Sequence, residues 1–124
     1  MIKEESINEL ESLIRTLEFI QEEQAFIKNK IAGILTNNVM ESTVEWVEEL
    51  NQHISNRESA IHLLKNDILS LSRLLKIKVP NSSDIDSKII ATLKKYKQQI
   101  VYLENEFMSW KHEVNQKIEF PSPS

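Results

Sequence analysis

A chain of 124 residues has room for one hydrophobic core and none for a second domain. Hydrophobic residues at 40% and charged residues at 27% exclude the disordered class, and the complete lack of cysteine excludes disulfides, thiolate chemistry and cysteine-based metal sites. The net charge of −4 speaks against a nucleic-acid partner.

Breakers are few: one glycine, and prolines only at positions 80, 121 and 123. Two long uninterrupted tracts remain, which suits helices and not a sheet with many tight turns. The first residues lack a basic leader with an apolar core, and no stretch approaches the roughly 18 consecutive apolar residues that span a bilayer. The expectation is a cytoplasmic protein without a membrane span.

Helix one is expected over residues 6–36. Ser6-Ile7-Asn8-Glu9 has the spacing of a capping box, although Glu4 and Glu5 equally suit a slightly earlier first turn. Apolar residues then recur at steps of three and four, through Leu10, Leu13, Leu17, Ile20, Ile27, Ile31 and Ile34, with Gln24 as the single break. Gly33 lowers helical propensity and the Asn37-Asn38 pair can supply the left-handed residue that ends the helix, so its end is expected between residues 33 and 37. Helix two, residues 40–77, has Asn38 or Ser42 as its cap. Its stripe is Val47, Leu50, Ile54, Ile61, Leu64, Ile68, Leu71 and Leu75, broken only by Arg57. Pro80 and the Asn81-Ser82-Ser83 run then stop it.

Helix three, residues 83–118, starts on Ser82 or Ser83 with Asp84 and Asp86 in its first turn. It carries the one unbroken stripe: Ile89, Leu93, Tyr96, Ile100, Leu103, Phe107, Trp110, Val114. Residues 120–124 are expected to form a disordered tail. Short connections make sequential helices antiparallel, so the fold class is all-α, an elongated up-down-up three-helix bundle or coiled coil spanning residues 1–119. Charge agrees with that topology. Residues 1–50 carry a net −7 and residues 51–124 a net +3, and folding back sets the acidic helix starts beside basic helix ends.

The two breaks in the stripes share one layer when helices one and two fold about a point near residue 40. A guanidinium buried there needs partners, so Arg57 is expected to bond Gln24 and pair with a carboxylate from helix three, Glu104. Such a polar layer sets register. A small anion held by Arg57 is the functional alternative.

No Glu-x-x-His exists and the stripes hold no acid, so a di-iron bundle and a metal site are not expected. With one glycine there is no phosphate-cradling loop, and no cofactor is expected. His62-Leu63-Leu64-Lys65 resembles the His and Lys three apart of histidine phosphotransfer domains, where an exposed imidazole is the nucleophile and the lysine holds phosphoryl oxygens. Asn66 stands where that pattern has a small residue, and the resemblance covers four residues. Lys94, Lys95 and Lys97 form the densest basic cluster, but Tyr96 between them belongs to the buried stripe.

Apolar residues exceed what three slim stripes need. Phe19, Phe26, Trp46, Leu74 and Ile90 are expected to widen the core faces. Two explanations compete for the rest: a wide, irregular core with a few harmlessly exposed apolar residues, or a surface formed by Leu63, Leu69, Val101, Tyr102 and Met108 for a homo-oligomer or another helical protein. The expected function is therefore a non-enzymatic helical interaction module, an adaptor, chaperone-like or oligomerising subunit. The alternative is phosphotransfer or regulation through His62 and Lys65.

Overall fold

A computed structural model describes residues 2–37, 41–77 and 83–119. They form α1 (Ile2–Asn37), α2 (Glu41–Lys76) and α3 (Ser83–Glu119), and no strand occurs among the described residues. The protein is an all-α three-helix bundle. At 36 or 37 residues each, the helices are about 54 Å long at 1.5 Å per residue. The side chains expected to cap α2 and α3, Asn38, Ser42, Ser82 and Ser83, lie outside the described set, as do residues 120–124.

Of the two starts expected for α1, the earlier one is observed. The first helix begins at Ile2, with Glu4 and Glu5 in its first turn. Ser6 is therefore inside the helix and buried, not a cap. The earlier start suits the helix dipole and lets Ile7 pack against the core. At its other end α1 passes through Gly33 and stops at Asn37, within the expected window.

The core is the three stripes. Leu10, Leu17 and Ile20 of α1, Ile54, Ile61 and Ile68 of α2, and Ile100, Phe107 and Val114 of α3 are at most 2% exposed. Leu13, Leu71, Tyr96 and Leu103 are half-buried at its edges. Of the residues expected to widen the core, only Trp46 packs partly against it, while Phe19, Phe26, Leu74 and Ile90 are exposed. Three helices bury a narrow stripe from each, and among the described residues no fourth helix covers the shoulders.

Ion pairs report the register. Along the antiparallel α1–α2 face, Lys65 lies 3.7 Å from Glu18 and Lys76 lies 3.8 Å from Glu11. On the parallel α1–α3 face, Lys97 meets Glu9 at 3.2 Å and Lys111 meets Glu23 at 2.9 Å. These two pairs are two heptads apart in both helices, so α1 and α3 keep one constant register. Each exposed pair is worth under about 1 kcal/mol, and their shared effect is on alignment. Backbone approach is unequal, however. The first helix runs close to both others, whereas α2 and α3 scarcely approach one another.

Candidate functional site: a buried polar layer and an open groove

The layer forms because Gln24 and Arg57 occupy stripe positions, where helical periodicity turns both inward. Gln24 is fully buried, and Arg57 is 4% exposed. Arg57 Nη1 donates to Gln24 Oε1 at 2.9 Å. Its second terminal nitrogen, Nη2, donates to Glu106 Oε1 at 3.1 Å. The carboxylate is thus Glu106 and not Glu104. A fold-back about residue 80 put Leu103 beside Arg57, but α3 is displaced along its axis by about a turn, which brings Phe107 and Trp110 there instead. The guanidinium carbon lies 5.6 Å from the Phe107 ring centroid and 4.9 Å from that of Trp110. Glu106 borders this aromatic floor on the side of α2. Glu104 sits midway between Lys97 and Lys111, on the flank of α3 turned to α1, and is exposed.

The layer therefore combines a charge-assisted bond to a neutral amide, an ion-paired bond to a carboxylate and two cation–π contacts around one guanidinium. Glu106 remains half in water, which lowers the desolvation cost that a fully buried pair would carry. Phe107 and Trp110, with ring centroids 6.1 Å apart, serve the apolar stripe and the polar layer at once, so the stripe alone does not reveal them as partners of Arg57. Two aromatics one turn apart on the helix opposite a buried arginine were the available signal.

Between α2 and α3 a groove of about 520 Å³ lies open to solvent. Ala60, Leu63 and Leu64 wall it on α2, and Gln99, Tyr102 and Leu103 on α3. Asp67 and Lys95 mark its upper rim. Leu63 is 66% and Tyr102 68% exposed at its mouth. The five residues expected to share one apolar surface do not do so. Leu63 and Tyr102 meet at this groove; Val101 and Met108 lie on the opposite flank of α3, in heptad step with Lys94 and beside Lys97, which reaches α1. Leu69 is half-buried, one turn from Lys65 on the flank of α2 that faces α1.

His62 is exposed, but its Nε2 lies 3.3 Å from the Asn66 side-chain amide. Lys65 points to Glu18 of α1 and is not held at the imidazole. No group of three or more histidines, aspartates or glutamates close enough to hold a metal ion occurs among the described residues, and none of their helices is long and apolar enough to cross a membrane. Tyr96, on the stripe behind the groove, has its hydroxyl pKa raised by burial and then by the carboxylate of Asp67.

No protein-family model matches this chain, and neither a curated protein nor a solved structure matches it.

Proposed function

We propose that the chain is a non-enzymatic helical interaction module whose α2–α3 groove takes up a further amphipathic helix. The observation that supports this most is the placement of Leu63 and Tyr102, two large and exposed side chains, on facing walls of an apolar-floored groove where two helices fail to close on each other. Grooves of this kind are filled by helices that present apolar residues at steps of three and four. Glutamine, aspartate and lysine on the rim suit a helix with polar flanks. Phosphotransfer at His62 draws less support, since Lys65 is engaged with Glu18 and Asn66 sits at the ring nitrogen.

Because the chain has no native cysteine, single cysteines give an unambiguous test. Leu63→Cys and Tyr102→Cys should react freely with a maleimide in dilute purified protein and be protected in the cells that make it. Asn29→Cys, exposed on α1 away from the groove, should react equally in both. Equal labelling of all three sites in cells and in dilute solution would overturn the proposal.

A further inference from the structure

We infer that the helix taken up by the groove is α3 of a second copy of this chain, laid antiparallel about a two-fold axis beside Gln99 and Tyr102. This rests on the reading of the groove as a helix-binding face and names its occupant.

The flank of α3 that borders α2 reads Lys88, Lys95, Gln99, Tyr102, Glu106, Glu113. Lys95, Gln99 and Tyr102 line the groove, Glu106 reaches Arg57 of α2, and Glu113 borders a smaller hollow shared with His53 of α2. Lys88 continues the flank one heptad before Lys95. These positions are spaced symmetrically about the Ile100-Val101 bond, and the charges reverse across it. An antiparallel second α3 centred there sets Lys88 opposite Glu113, Lys95 opposite Glu106 and Gln99 opposite Tyr102, each pair occurring twice. Parallel alignment would place lysine on lysine and glutamate on glutamate, so the stripe selects its orientation.

The charges on this flank are also uncommitted. Lys88, Lys95 and Glu113 make no ion pair with any described residue, whereas Lys97 and Lys111 on the other flank are already engaged by Glu9 and Glu23. Glu106 has one oxygen on Arg57 and is 45% exposed, which leaves its other oxygen accessible. From Lys88 to Glu113 the stripe is about 38 Å long, enough for a sustained helix–helix contact. At its centre, where charge is absent, each copy's Tyr102 enters the other's groove at the level of Leu63. The apolar contact thus supplies attraction, and the flanking charges fix direction.

The test is sedimentation equilibrium of the full chain with charge reversals at Lys88 and Glu113, which spare the Arg57 layer. Wild type should be a dimer. Lys88→Glu or Glu113→Lys alone should raise the dissociation constant about tenfold or more, because each replaces two attractive pairs by two repulsive ones. The double variant should return to the wild-type value, and mixing the two single variants should give a heterodimer tighter than either self-pair. Circular dichroism should show the same helix content throughout. A strictly monomeric wild type, or a dimer indifferent to reversal and unrestored by the double variant, would overturn the inference. A monomer whose groove cysteines are nonetheless protected in cells leaves the interaction module standing with a different helix in the groove.

Discussion

The second helix serves two neighbours in opposite ways. Toward α1 it presents Ile54, Ile61 and Ile68, each at most 1% exposed, along a face that closes completely around one buried bond from Arg57 to Gln24. Toward α3 it presents Ala60, Leu63 and Asp67 to a groove that stays open. Residues two positions apart, Ile61 and Leu63, therefore belong to core and to surface. The backbone of α1 runs close to both other helices, whereas α2 and α3 meet chiefly through Arg57 with Glu106, Phe107 and Trp110, and the groove beside that contact is free to do something other than fold the chain.

Replacing residues on the two faces should separate them sharply. Ile61→Ala should lower unfolding free energy by about 2–5 kcal/mol, the cost of deleting a fully buried branched side chain and leaving a cavity. Leu63→Ala should change it by no more than about 0.5 kcal/mol. Urea denaturation of dilute protein measures both, and a comparable loss at Leu63 would mean that the groove closes in the isolated chain.

A smaller effect is expected inside the polar layer. Gln24→Leu removes the acceptor of Arg57 Nη1 in a dry environment and should cost about 1–3 kcal/mol. Gln24→Leu with Arg57→Leu should recover most of that loss, because no buried guanidinium is then stranded. Glu106→Gln should destabilise by about 1 kcal/mol or less and Glu104→Gln not measurably, since only Glu106 touches the guanidinium. A reversed order for the two glutamates in thermal melts would mean that the arginine exchanges partners in solution.

The stripes, the three helices and the pairing of Gln24 with Arg57 were legible because each depends on periodicity and on one short turn. Glu106 was not. Choosing between it and Glu104 needs the axial position of α3, which is set by Phe107 and Trp110 stacking near Arg57 and by the Lys97 and Lys111 pairs to α1. The division of Tyr102 from Val101 and Met108 was likewise hidden. Which flank of α3 meets α2 depends on the order of the helices around the bundle axis, and periodicity is identical for both orders. Phe19, Phe26, Leu74 and Ile90 misled for a related reason: proximity to a stripe buries a side chain only where a neighbouring helix reaches over it.

The smallest expected effect probes the boundary between the closed core and the open groove. Tyr96 stands on the α3 stripe, half-buried, and Asp67 lines the groove beside it. Burial, and secondly the Asp67 carboxylate, hold the hydroxyl above its ordinary pKa of 10.0, so the folded chain keeps this proton more tightly than the unfolded chain. Stability from that difference is fully present below the ordinary value and is lost as pH rises through the folded one. Wild type should therefore lose stability relative to Tyr96→Phe across that alkaline window, with lysine titration common to both chains and cancelling in the comparison. Asp67→Asn should flatten the slope less than Phe does, since burial is the larger cause. A gap between wild type and Tyr96→Phe that is independent of pH from 9 to 11 would place the hydroxyl in water. In that case the groove would reach behind Leu103 to the stripe itself, and the boundary between α3's core and its binding flank would lie one residue deeper than the burial of Tyr96 implies.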